Sequence, residues 1–549
     1  MKSYKIIINA VIGILLLMSC ADKLEVRPPN SIIDEQITDL MINGDDATVE
    51  MIMTAIATPT TKYFNLVGVP TTGSADGRLY SQQGLDYMRN LEGNDIVFGD
   101  NNNGLFGMDE YQLSDFIGDE RDKNIAYWYC AAAGINQANL LLGYMTAEMA
   151  GVKNIYKSGR ALGLTIRAYE YMNLMENYQD AFLLGGKDKL GISLYDKYDP
   201  QQENKARSSS AETYDFIKKD LNEAVSLLSA AGVGYTTEGS KLEDMDLGVA
   251  KFLLARVSLW TGDNATCISA CNDIINSGSY SLIKEENYGG RNTGSDWSPA
   301  NLEVLPQTNA FLSIRKNPEV ILGFIRTSSF NYTMHNGWTN PFSTSYGGAS
   351  RGYARVDNRL YDKISTDDFR KECFKVEEIG DYHYAATNVT ARIPSYVNMK
   401  FAATHGLAEN GNDNTEKNFA GNVEFCKFRL AEVYLMLAEA KLASGDESGA
   451  KSTLNELLAA RTKSGATTLT CDNYPSMAGM STLEKIQLQW RIEMWGEGGR
   501  EFYNNKRWNI AVDRAGSSNH VFITSYPVSK MTLQIPRREL IDNDLSVQN

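Results

Sequence analysis

Residues 430–458 read LAEVYLMLAEAKLASGDESGAKSTLNELL. Leu430, Val433, Tyr434 and Leu437 fall at i, i+3, i+4 and i+7, the apolar stripe of an amphipathic helix. Ser444-Gly445-Asp446 then interrupts the period. Gly suits the left-handed position after a helix, and Asp suits the N-cap of the next one. Ala450, Leu454, Leu457 and Leu458 resume the stripe. Residues 250–274, AKFLLARVSLWTGDNATCISACNDI, repeat the arrangement. Ala250, Leu253, Leu254 and Val257 precede the turn Thr261-Gly262-Asp263; Cys267, Ala270, Cys271 and Ile274 follow it. Aligning the turns places Ala255 on Ala438, Leu259 on Leu442, Cys271 on Leu454 and Ile274 on Leu457.

Any two helical hairpins share a period, but the common Gly-Asp turn and the small residues at the expected crossing favour repeats of the tetratricopeptide type. Further helices are predicted over Tyr214 to Leu228, with Leu221, Ala224, Val225 and Leu228 on one face, and around Ile125–Met145 and Ala161–Asn177. Between them the texture changes. Residues 60–120 and 279–420 are rich in Gly, Asn, Ser and aromatics, and aromatics argue against disorder. The expected fold is mainly α: a tetratricopeptide-like helix-pair scaffold at about 120–280 and 425–510, carrying loop-rich insertions at about 60–120 and 279–420.

The 549 residues include 68 acidic and 53 basic ones, net −15, which argues against a nucleic-acid partner held by phosphate contacts. Four His argue weakly against a His-rich metal enzyme, whereas 29 Tyr and 7 Trp supply many amphipathic rings. The N-terminus has an address: Lys2 and Lys5, an apolar run from Ile6 to Met18, then Leu17-Met18-Ser19-Cys20. This reads as a signal peptide over 1–19 with lipidation of Cys20, and 20–549 as a single mature domain. Six further cysteines do not make a disulfide scaffold in a chain this long. Cys267 and Cys271, four apart on a helix face, read as buried thiols.

Several segments, in order, resemble the SusD/RagB family of Bacteroidetes outer-membrane lipoproteins. Arg429 to Ala440 is similar to its signature helix. Glu493, Glu497-Gly498, Arg500 and Arg507-Trp508 resemble its C-terminal motif, and Ile535-Pro536 with Gln548-Asn549 its close. Tyr214-Asp215-Phe216-Ile217 with Asp220-Leu221, and Arg167-Ala168-Tyr169, resemble two earlier helices. Asn504-Asn505 and Gly159–Gly163 depart from the usual pattern, both within the scaffold. The resemblance spans the chain from Cys20 to Asn549. It implies a SusD-like fold and a lipid-anchored position at the cell outer membrane, facing outward. It implies a SusC-like TonB-dependent transporter as partner, and binding of oligosaccharide or polysaccharide without catalysis or cofactor. Peptide cargo, as in RagB-like members, is the alternative; a surface glycoside hydrolase is a more distant one, since sequence cannot exclude two facing carboxylates.

Sugar capture pairs flat aromatic rings with short polar groups on loops. Within the insertions that composition selects Trp338, Tyr332, Tyr346 and Trp297 as rings, with Asn336, Asp76, Arg78 and Tyr80 beside them. Each ring could instead pack its loop onto the scaffold. Gly348-Ala349-Ser350-Arg351-Gly352 fits the nucleophile-elbow pattern but lacks the strand–turn–helix context. Asp100 to Gly104 resembles a calcium loop, yet Leu105 and Tyr111 stand where an EF-hand needs Gly and Glu. A structural calcium outside that motif stays open.

Overall fold

The computed structural model describes residues 34–62, 82–99, 111–151, 153–290, 304–325, 340–342, 353–384, 389–407, 413–414 and 424–549. Residues up to Ile56 form one compact unit and Ala57–Asn549 another. The first contains helix α1 (Asp34–Asn43) and the start of α2 (Asp46–Lys62), with Asp45 accepting from the Thr48 amide at 2.8 Å as an N-cap.

The second unit is an array of helices, each packed on the next. α3 (Gln82–Leu91) and α4 (Asp122–Tyr144) lead to α5 (Asn154–Tyr178), α6 (Ser210–Ala231), α7 (Leu247–Thr261) and α8 (Asn264–Asn276). After the strand-bearing region come α9 (Leu430–Ala443), α10 (Glu447–Ala460), α11 (Thr482–Glu493), α12 (Arg500–Trp508) and the short α13 (Arg537–Asp542). α8 packs on α9, so the pairs α7–α8 and α9–α10 stack directly, as expected for a repeat array.

The two turns are built alike. Gly262 has φ +77° and Gly445 φ +86°. The Asp263 amide donates to the Ser258 carbonyl at 2.8 Å and the Asp446 amide to that of Lys441 at 2.9 Å, the six-to-one bond of a Schellman cap. Each Asp then caps the next helix, Asp263 accepting from the Thr266 amide and Asp446 from that of Gly449. Ala438, Ala255, Cys267 and Cys271 are fully buried. All six cysteines after Cys20 are buried free thiols. Gly163 lies where a Cβ would sit 2.9 Å from Leu142 and 3.3 Å from the Ala138 carbonyl, so the unusual lead into α5 allows close approach to α4.

The strands are short: β1 (Ile96–Phe98), β2 (Val320–Phe324), β3 (Ala354–Val356), β4 (Phe374–Lys375), β5 (Ile379–Tyr384), β6 (Val389–Ile393), β7 (Val397–Asn398) and β8 (Phe425–Arg429). They form a four-stranded sheet in the order β1-β3-β7-β4 and the antiparallel pairs β2–β8 and β5–β6.

The motif residues turn out to be framework. Arg429 donates to Glu493 at 2.7 Å, to Glu497 at 2.7 Å and to Glu319 at 2.9 Å. Glu493 also accepts from Arg370 at 2.8 Å and Arg461 at 2.9 Å. Arg461 reaches Glu319 at 2.6 Å, Arg370 pairs with Asp368, and Lys400 reaches Glu497 at 2.5 Å. All of these charges but the half-buried Glu497 are buried, and each is matched by an opposite one. Burial alone would push the Glu493 carboxyl up, but Arg461, Arg429 and Arg370 outweigh it and hold it well below the ordinary range. Arg507 and the Trp508 indole both donate to Glu439, locking α12 to α9. Gln548 exchanges two bonds with the Ile535 backbone, and the Asn549 side chain donates to the Tyr178 and Leu533 carbonyls at 2.7 Å. Asn504 accepts from Arg507 and Asn505 donates to Glu501, which gives the Asn-Asn departure a local use.

Candidate functional site

The eight ligand-binding candidates, Trp338, Tyr332, Tyr346, Trp297, Asn336, Asp76, Arg78 and Tyr80, lie outside the described residues, as do Cys20, the Asp100–Gly104 stretch and Gly348–Gly352. What the structure defines is the base from which the candidate segments leave and return.

That base is assembled around residues 398–404. The Gly290 amide donates to the Met399 carbonyl at 2.8 Å, fixing the departure of the segment with Trp297. Its return at Val304 is a reciprocal pair with Thr404: the Val304 amide donates to the Thr404 hydroxyl at 2.9 Å, and the Thr404 amide to the Val304 carbonyl at 2.9 Å. Asn340 follows the segment with Tyr332, Asn336 and Trp338. Its side chain donates to the Ala403 carbonyl at 2.8 Å and accepts from the Ala403 amide at 3.1 Å. Beneath these roots a small core holds Val304, Phe342, Tyr353, Ile379, Ile393 and Met399, with the half-buried Tyr382 against Phe342. Phe342 and Tyr353 flank the segment with Tyr346.

Strand pairing fixes further roots: β1 and β3 lie in the sheet that contains β7, and β2 and β8 form a sheet of their own. Phe98 of β1 opposes Ala354 of β3, and the Gly99 amide donates to the Tyr353 carbonyl, so Gly99 and Tyr353 are held together. Phe324 of β2 opposes Phe425 of β8 with stacked rings 6.2 Å apart. The segment with Asp76, Arg78 and Tyr80 returns into α3, where Asp86 pairs with Lys427 of β8. Insertions more than 200 residues apart in sequence thus share one foundation.

Lys400 joins that foundation to the helical array. Its ammonium donates to the Glu493 and Trp495 carbonyls at 2.9 Å as well as to Glu497. Burial lowers its pKa against the pull of Glu497. Sequence reasoning missed this residue because a lone Lys in a loop-rich stretch carries no periodic or motif signal.

Glu92 and Glu170 are buried, and Glu501 is half-buried. Burial pushes Glu92 and Glu170 up to about 8, and burial with the neighbouring Asp95 pushes Glu501 up to about 7. Glu501 accepts from the Asn94 and Asp95 amides at 2.7 and 3.0 Å, which is structural work at the end of α3. Among the described residues no group of three or more His, Cys, Asp and Glu is placed to hold a metal ion, and no helix is long and apolar enough to cross a membrane.

The SusD family model matches residues 273–537, and a model described as starch-binding associating with outer membrane matches residues 83–240. Among solved structures, the chain is similar to a SusD-like carbohydrate-binding protein from Bacteroides vulgatus, with TM-score 0.68 and 20% identity over 90% of this chain and 97% of that one. It is similar to a SusD superfamily protein from Bacteroides thetaiotaomicron, with TM-score 0.66 and 18% identity over 90% and 99%. It is also similar to one from Parabacteroides distasonis, with TM-score 0.64 and 16% identity over 92% and 99%. At these identities the structural likeness concerns the fold. No curated protein matches the chain.

Proposed function

The chain belongs to the SusD/RagB family, and we propose that it is a lipid-anchored outer-membrane protein that binds oligosaccharide or polysaccharide at the cell surface. It hands the glycan to a SusC-like TonB-dependent transporter. Cys20 carries the lipid, and the protein faces outward.

The observation that supports glycan capture is the shared base at residues 398–404, to which Gly290, Val304 and Asn340, at the ends of ring-bearing segments, are bonded. Sugar binding needs several rings and amides from remote parts of a chain held on one rigid support. The description of the model matching residues 83–240 makes starch the first ligand to try. Binding without chemistry agrees with the buried positions of Glu92 and Glu170.

The test is a glycan array on the purified protein, followed by calorimetry on native protein and Trp338→Ala. A stacking ring stays partly exposed, so its removal should cut affinity by roughly tenfold and leave the melting temperature unchanged. A packing ring would instead lose about 3–5 kcal/mol of stability. Retained binding with lost stability would move the platform to other residues. Peptide binding with an empty glycan array would give the protein a RagB-like cargo, and release of reducing ends from a polysaccharide would make it a hydrolase.

A further inference from the structure

A groove of about 500 Å3 lies between α4, the extended segment around residues 192–202 and α13. It shares no residue with the base at 398–404. We propose that this groove is a second saccharide-binding site, an inference that rests on the glycan-binding reading above.

Its walls have the needed chemistry. Tyr129 and Tyr195 are half-buried rings, and Trp128 lies beside them. The outer face of α4 supplies a low floor, Ala132, Ala133 and Asn136, with Ala133 and Asn136 exposed. Small side chains there let a flat ring approach the helix closely. Asn136 offers an amide with both donors and acceptor. Gln202, half-buried, adds a second side-chain amide to the wall. Glu539 also lines the groove, and its carboxyl can accept from ligand hydroxyls. Lys197 is already paired with Asp199 at 3.2 Å. The groove therefore offers rings, amides and one carboxyl beyond the Lys197–Asp199 pair, which suits a hydroxyl-rich ligand. Its volume is in the range of small-ligand sites.

The wall is also preorganised, by residues that the family motifs contain. Arg167 donates to both oxygens of Asp220, at 2.7 and 2.9 Å, to the Asn139 Oδ1 at 2.9 Å and to the Asp196 carbonyl at 2.8 Å. Asn139 in turn donates to the Tyr195 carbonyl at 2.9 Å, and the Tyr195 amide to the Tyr171 hydroxyl at 2.7 Å. The Tyr195 backbone is thus clamped from two sides. A ring fixed before binding avoids the ordering loss that weakens flexible sites.

The experiment uses native protein, Ala133→Trp, which fills the floor at an exposed helical position, and Asn136→Ala. Affinity gels containing amylopectin, xylan, galactomannan or inulin select the polysaccharide, and its oligosaccharide is then titrated by calorimetry. Native protein should show two sites per chain. Ala133→Trp should show one, and Asn136→Ala should weaken the same site by roughly tenfold. Trp338→Ala should leave the groove occupied. Two sites of unchanged affinity in Ala133→Trp would overturn the proposal. So would a single site in native protein that both groove variants leave intact. Ala133→Trp with full glycan binding but lost co-purification of the transporter would make the groove a protein-docking surface. Native protein that no polysaccharide retards would instead remove the glycan reading as a whole.

Discussion

Glu493→Gln tests whether the buried charge cluster holds the loop base to the helical array. The cluster contains Arg370, Arg429, Arg461 and Lys400 against Glu319, Asp368, Glu493 and Glu497. Four cations face four anions. Glu493 accepts from three guanidinium groups and from the Tyr288 hydroxyl at 3.2 Å. The amide of Gln keeps the shape and removes the charge, leaving one buried cation uncompensated and pointing N–H groups at guanidinium donors. Breaking one partner of a buried ion pair costs about 3–5 kcal/mol. At a urea m-value of about 3 kcal/mol/M or more, the unfolding midpoint should fall by roughly 1 M. The sign of the pH dependence follows from the depressed carboxyl. Folded Glu493 releases its proton well below the ordinary range, so its contribution is fully present above about pH 4.5 and is lost as pH falls through the folded value. Urea unfolding of native protein and Glu493→Gln at pH 7 and at successively lower pH should therefore converge on the acid side. The double variant Glu493→Gln/Arg461→Gln, neutral again, should lose less than the sum of its singles by at least about 1 kcal/mol. A native midpoint in Glu493→Gln, or strict additivity of the pair, would refute the reasoning.

Ala438→Leu should overpack the buried face of α9 where it meets α8, α10 and α11, lowering stability by about 1–3 kcal/mol in thermal melts; an unchanged melt would place that face in solvent. Cys20→Ala should release the protein from the membrane fraction or leave its signal uncleaved, and a processed variant that still needs detergent for extraction would end the lipid-anchor reading. Burial lowers Lys506 to about 7, where it donates to the Glu176 and Gln179 carbonyls at 2.9 and 2.6 Å. Between that value and about 10.4 the unfolded chain holds a proton that the folded one has released, so stability should rise with pH across this window. Urea midpoints of native protein minus Lys506→Met should show that rise, and a flat difference would mean that Lys506 stays charged.

The sequence made the helix pairs legible because their causes are local. A 3.6-residue period and a Gly-Asp turn lie within 29 residues, and Gly445 and Ala438 stand where that reading places them. The charge cluster has no such local signature. Arg429 meets Glu319, Glu493 and Glu497 across 110, 64 and 68 positions, and a buried Arg in one sequence looks like any surface Arg. Motif resemblance flagged Arg429, Glu493 and Glu497, but Arg370, Arg461 and Lys400 carried no flag. The base of the loops was hidden for a related reason. β3 has three residues and β7 two, too short to show alternation. The groove beside α4 draws Trp128, Tyr195 and Glu539 from three remote segments. This division has a physical consequence for how such a chain can change its ligand. Gly290, Val304 and Asn340 meet the base mainly through backbone bonds and one Asn, and Lys400 carries the load from the base to the cluster. The loops beyond those roots can therefore vary in rings and amides without disturbing a buried charge. A change at the roots or at Lys400 would instead be felt in both the helical array and the site.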